Sequence, residues 1–230
     1  MPVQQPSRSR ILLEMTLVLG PAALIYGGGY LMDNTALGLV SIAAAWIVIG
    51  ILLKRRQSGW GEYGLRRPPC WKRTLVLALL GVAVLHVLIR MLKPLITEHV
   101  TGTPLDISRF EAVRGNLPAL LLGLLIVWTV AAFGEEMVFR GYVLNRTADL
   151  TGLPGLSRWL WAVLLSSLVF GLGHIYQGWT GVILSCIAGM VYCGAYFLDG
   201  RCIWAPILIH GIYDTSAFLI LFFGLDKGLL

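Results

Sequence analysis

Charge is scarce in this chain. Charged residues make up 13% of its 230 positions, against about 25% in soluble domains. Mean hydropathy is +0.77, and 57% of the residues are hydrophobic. An ordinary soluble domain is excluded by that balance. Cysteine is sparse too: Cys70, Cys186, Cys193 and Cys202 form no CxxC pair and no zinc-finger spacing, so no disulfide framework or structural zinc is implied. Strict polar–apolar alternation is missing from the long apolar runs, which excludes a transmembrane barrel. Internal repeats, low-complexity tracts and a separate soluble domain are also missing. The net charge of +6 implies no nucleic-acid partner. Most of the excess sits in one short loop, where it sets topology and meets anionic membrane lipid.

What is present is a series of charge-poor runs. A helix needs roughly 20 mostly apolar residues to cross the hydrocarbon. Such runs cover Ile11 to Leu31, Ala36 to Leu53, Thr74 to Leu92, Leu117 to about Phe139, Trp159 to about Ile175, Thr180 to Leu198 and Ile203 to Phe223. The expected fold is all-α: one transmembrane domain over residues 1–230, a polytopic helical bundle of about seven spans, with six to eight as the range. The first run is too long for a signal-peptide core and lacks a small-residue cleavage site, so it is expected to stay as a helix.

Orientation follows from Lys and Arg in short loops. The stretch Lys54 to Arg73 carries seven of them against Glu62 alone. That loop is expected in the cytosol, with the amino terminus; the carboxyl terminus and the stretch Lys93 to Arg114 are expected outside. The turns holding Arg146 and Arg158, and Asp199 to Arg201, return to the cytosol. The localisation expected is an integral membrane protein, in the cell membrane if the source is prokaryotic.

Charged groups inside apolar spans are costly and rare without a partner or a task. Glu14 and Arg90 lie near span ends, where side chains can reach the interface. His86 is alone in mid-span and suits a satisfied packing histidine. Three clusters remain. Glu135 and Glu136 end an uncharged run that begins at Leu117, with Arg140 following. Successive helical residues point about 100° apart, so the two glutamates cannot face one point. Glu136 and Arg140 are four apart and can pair, which leaves Glu135 to face elsewhere. Phe170 and His174 flank two glycines, Gly171 and Gly173, that allow another backbone or a substrate to come close. His210 and Asp214 are again four apart on one face.

Each cluster alone has a bland explanation in packing or a snorkelling helix end. Together they converge. The fourth and fifth spans should form a hairpin turning near Leu153. Counted from there, Glu135 lies 18 residues back and His174 lies 21 forward, a depth difference of about 5 Å at 1.5 Å per residue. They are expected to face each other, with His210 and Asp214 joining from the seventh span. A polar cavity that does chemistry fits this better than packing does.

The ordered set Glu135-Glu136-x-x-x-Arg140, Phe170-x-x-x-His174 and His210-x-x-x-Asp214 resembles the signature of the CAAX prenyl endopeptidase and bacteriocin-processing family of intramembrane proteases. That pattern is E-E-x-x-x-R, F-x-x-x-H and H-x-x-x-N or D. The resemblance covers about residues 117–216, the expected catalytic core. It implies cleavage of peptide bonds in membrane-associated or lipidated substrates. By the same resemblance, Glu135 is the general base, His174 helps it activate water, and His210 and Asp214 stabilise the oxyanion. Glu136, Arg140 and Phe170 would support the site. Asp214 stands where the family also has asparagine; an ionised aspartate cannot donate a hydrogen bond. A catalytic zinc held by Glu135, His174, His210 and Asp214 is therefore the alternative to metal-independent catalysis. The rival classes are a non-catalytic immunity or scaffold protein and a proton-coupled transporter, the latter weakened by the lack of paired broken helices.

Overall fold

The computed structural model describes residues 7–226, apart from the Thr35 side chain. Residues 1–6 and 227–230 lie outside the described residues, and with them the two termini whose orientation is expected above. Seven long helices follow in order: α1 (Arg8–Leu31), α2 (Thr35–Arg55), α3 (Trp71–Thr101), α4 (Leu117–Thr151), α5 (Gly155–Leu172), α6 (Gly178–Leu198) and α7 (Trp204–Phe222). All seven are long and apolar enough to cross a membrane. No strand occurs among the described residues. The expectation of an all-α polytopic bundle holds.

Local signals start and stop the helices where the sequence places them. Side chains of Ser7, Asn34 and Asn116 accept from the backbone N–H of Arg10, Ala36 and Ala119, satisfying donors that a helix start leaves free. Gly152 ends α4 in the left-handed region, at φ 60°, a conformation that costs glycine little.

α4 is the longest helix and the hub. Its 35 residues span about 50 Å at 1.5 Å per residue, well beyond a hydrocarbon core of about 30 Å. Two stretches, Val127–Glu135 and Met137–Val143, wind as π-helix, a looser form that often marks functional sites. α1, α2, α5, α6 and α7 all pack on it, while α3 packs on α6 and α7. The extra length moves Arg146 out of the expected turn and into the helix, where it is buried. There its guanidinium donates to the Tyr63 hydroxyl at 2.7 Å and pairs with Glu62 and Asp149. The basic loop is thus folded as well as charged. Its short turn Trp60–Tyr63 docks on the carboxyl-terminal half of α4, with Tyr63 edge-on to Tyr142.

The isolated polar residues are partnered. Glu14 does not reach out to the interface: it is buried between Arg10 and Arg56. His86 Nε2 lies 3.0 Å from the Ser216 hydroxyl and its ring packs on Tyr213.

Close helix contacts rest on glycine, as expected where lipid offers no hydrophobic drive between helices. A Cβ on Gly171 would overlap the Cys186 sulfur and lie 2.6 Å from the Val182 carbonyl. Gly81, Gly123 and Gly211 would likewise meet Ile209, Phe218 and Trp128, so α7 is gripped by α3 and α4. Gly171→Val should therefore lower the thermal unfolding temperature in detergent micelles, at a cost of about 1–3 kcal/mol or more from overpacking. Gly194→Ala, whose Cβ meets nothing within 4 Å, should leave the temperature unchanged or raise it slightly.

Candidate active site

Arg140 and Glu136 form the centre of the molecule. Both side chains have 0% exposure, and Arg140 Nη1 lies 2.9 Å from Glu136 Oε1. The same carboxylate oxygen lies 2.9 Å from His210 Nδ1. His210 Nε2 in turn lies 3.3 Å from Asp214 Oδ2. A continuous chain Arg140–Glu136–His210–Asp214 thus ties α4 to α7. Carboxylate oxygens face both ring nitrogens of His210, an arrangement that a ring carrying both protons satisfies.

Aromatic rings wrap the charges. The Arg140 guanidinium sits 4.2 Å from the Phe170 ring centre and 4.9 Å from that of Tyr192, which places it over electron-rich faces. Tyr192 also stacks on His210, with ring centroids 5.0 Å apart and planes 15° apart. Phe170 meets His210 edge-on. Gly189 completes the wall: a Cβ there would stand 3.1 Å from Arg140 Nη2.

Three groups stand beside this buried centre and are only half-buried: Glu135, His174 and Asp214. Glu135 Oε2 has no hydrogen-bond partner from the described residues. His174 follows the last turn of α5 and starts a short connection to α6. Its Nδ1 lies 2.9 Å from the Phe170 carbonyl oxygen. A carbonyl only accepts, so Nδ1 carries the proton and a neutral ring keeps Nε2 as acceptor. Glu135 and His174 are each within electrostatic reach of both His210 and Asp214.

All seven residues singled out from the sequence therefore lie in one region. Glu136, Arg140, His210 and Asp214 are joined in one chain, Phe170 lies under Arg140 and beside both histidines, and Glu135 and His174 each lie within electrostatic reach of His210 and Asp214. Sequence reasoning missed Tyr192, Gly189 and Tyr176. Tyr192 does carry a signal, as a hydroxyl-bearing ring in mid-span three residues after a glycine. Tyr176 lies within electrostatic reach of Glu135 and Asp214.

The donors do not fit the zinc alternative. Among the described residues no group of three or more His, Cys, Asp or Glu side chains is arranged to hold a metal ion. His210 already spends both nitrogens on carboxylates. The metalloprotease expectation thus finds no support in the ligand geometry of the described residues.

Residues 117–216 match the family model described as type II CAAX prenyl endopeptidase Rce1-like. The resemblance read from the three motifs is thereby shown for that segment. No curated protein and no solved structure matches the chain.

Breaking a buried ion pair from one side strands the other charge, at about 3–5 kcal/mol. Arg140→Ala should therefore strongly lower the unfolding temperature in micelles. The double variant Arg140→Ala, Glu136→Gln should recover part of that loss. Equal destabilisation of single and double variants would show that the pair is not what matters.

Proposed function

We propose that this integral membrane protein is an endopeptidase that hydrolyses peptide bonds of membrane-associated or lipidated peptides, with Glu135 as general base. The observation that carries the reading is the gathering of three half-buried polar groups, from three different elements, around a fully buried charged centre. The family match supports an intramembrane CAAX-type protease in general terms.

The chemistry follows from donor and acceptor roles. A water between Glu135 and His174 has two protons to give: one to the Glu135 carboxylate, one as a hydrogen bond to His174 Nε2. That aims the oxygen lone pair outward, at the scissile carbonyl carbon. As the oxygen–carbon bond forms, its proton passes to Glu135. Negative charge develops on the former carbonyl oxygen, and His210 is the donor for it. The 3.3 Å contact from His210 Nε2 to Asp214 is longer than a good charge-assisted bond of about 2.7–2.9 Å. A developing oxyanion can therefore take over the Nε2 proton, while Glu136 holds Nδ1. Such preorganised donors are a large share of catalysis in acyl transfer. On collapse the carbon–nitrogen bond breaks, and Glu135 returns the proton to the leaving amine. Asp214 orients His210 in the resting state and need not donate.

Glu136, Arg140 and Phe170 position this machinery. Arg140 neutralises Glu136, and Phe170 supplies both the ring under Arg140 and the carbonyl that fixes the His174 tautomer.

Glu135→Gln keeps the shape and removes the base. Cleavage of a lipidated or membrane-embedded peptide by the purified protein in detergent should fall by about 10²-fold or more. Full activity in Glu135→Gln would remove Glu135 as base. A chelator, with or without metal added back, should change the wild-type rate by less than about twofold; loss on chelation and rescue by zinc would instead require a metal in the reaction.

A further inference from the structure

The loop Lys54 to Arg73 is strongly basic, with Glu62 as its one acid, and the fold leaves that excess unneutralised. Glu14 is taken by Arg10 and Arg56. Glu62 accepts from the Ser58 hydroxyl and pairs with Arg146, which also holds Asp149. Asp199 is buried at 0% exposure and accepts from the Thr74 hydroxyl at 2.9 Å. The acids at this end of the bundle thus have other partners. Among the described residues none of them pairs with Arg66, Arg67 or Lys72.

Two of these cations stand on a groove. Its volume is about 540 Å³, and Leu65, Arg66, Arg67, Trp71 and Trp204 line it. The loop, α3 and α7 build it together, and its walls are mostly apolar. Trp71 opens α3 and Trp204 opens α7, with their ring centroids 5.9 Å apart. Tryptophan suits the boundary between hydrocarbon and headgroups, where one end of the ring is apolar and the N–H is wet. Trp46 and Trp128 give their indole N–H to protein acceptors. Among the described residues the indole N–H groups of Trp71 and Trp204 have no such acceptor. One and two turns after Trp71, Leu75 and Leu79 are exposed at 50% and 64%. They carry an apolar stripe down α3 from the groove into the hydrocarbon. Leu208 stands half-buried one turn after Trp204. Arg66 is already placed: its guanidinium donates to the Gly200 carbonyl at 2.7 Å, just past the end of α6. Arg67 is exposed and has no acceptor among the described residues.

We infer that this groove binds one anionic phospholipid from the leaflet on the basic-loop side. The charge and the shape call for both halves of such a molecule. Guanidinium forks match the geometry of a phosphate, and Arg66 and Arg67 take it, with the two indole N–H groups as further donors. The glycerol and the start of an acyl chain lie on Leu65, Trp71 and Trp204, and the chain continues along Leu75 and Leu79. A free phosphate satisfies only the arginines. A zwitterionic lipid brings its own cation to a rim that is already positive. The bound lipid joins the loop to α3 and α7. The same loop packs on α4 through Tyr63, so the lipid helps to hold that cap in place. None of this depends on the protease reading.

The test uses full-length protein, delipidated in detergent and titrated separately with phosphatidylglycerol, with phosphatidylcholine of the same chains and with soluble glycerol phosphate. Native mass spectrometry counts what is bound, and the unfolding temperature is followed in parallel. One phosphatidylglycerol should bind at least tenfold more tightly than phosphatidylcholine and should raise the unfolding temperature. Glycerol phosphate at the same concentration should not compete. Arg67→Gln breaks no bond within the described fold and should weaken phosphatidylglycerol binding about tenfold, the loss of one charge-assisted contact. Trp71→Ala should weaken it as well. The double variant Lys54→Gln, Arg55→Gln removes charge from the same loop outside the groove and should change binding less than twofold. Equal loss in the double variant and in Arg67→Gln would reduce the effect to general attraction by the loop and overturn the site. Equal affinity for phosphatidylcholine, competition by glycerol phosphate, or binding unmoved by Arg67→Gln would overturn it too.

Discussion

A positive and a negative charge meet where no water reaches, and the rest of the protein is arranged around that fact. Taking an ion into such a place costs several kcal/mol even after relaxation, and attraction offsets it only when geometry and added hydrogen bonds are good. Glu136 receives both the Arg140 guanidinium and the His210 ring on one oxygen. Among the described residues Arg140 meets no second carboxylate, so three aromatic side chains supply the missing stabilisation. Those rings come from α4, α5 and α6, and the histidine from α7. One buried pair therefore dictates how four helices must be placed. Gly189 and Gly171 are what allow them to come so close.

The same pair divides α4 into regions with different solvents. Before it, the helix presents Leu121, Leu122 and Leu125 outward, as a lipid-facing surface should. After it, nearly every side chain is buried, including the charged and polar Arg146, Asn145 and Thr147. The π-helical winding lies across the transition. Wider turns change the direction in which successive side chains leave the helix, and the two glutamates leave it there. Glu136 serves structure, and the Oε2 of its neighbour Glu135 is left with no hydrogen-bond partner among the described residues.

The spans were legible because the bilayer leaves so few alternatives: a continuously apolar run of about 20 residues can hardly be anything but a helix. The Glu136–Arg140 pair was legible because i,i+4 spacing is local. The partnership of His210 with Glu136 was not, since no local rule links α7 to α4. Tyr192 was missed for a related reason, because stacking on a histidine appears only once tertiary neighbours are placed. Arg146 was misjudged as a turn residue because hydropathy marks where a helix leaves the hydrocarbon, not where it stops being a helix. The basic loop was legible as charge and illegible as a folded cap, whose contacts run from Tyr63 to Tyr142 and Arg146.

The sequence spacing of the buried pair also bears on how the protein reaches the membrane. A lone charged residue at the centre of a spanning helix costs about 2.5–3.5 kcal/mol during insertion. Arg140 and Glu136 belong to the same helix, one turn apart, so they can neutralise each other while that segment is still alone with lipid. The nascent α4 carries its own counterion past the translocation machinery. His210, arriving last in the chain, then finds a pair already formed, and the closing of the bundle becomes an exchange of lipid for protein around a neutral unit rather than the burial of a bare charge.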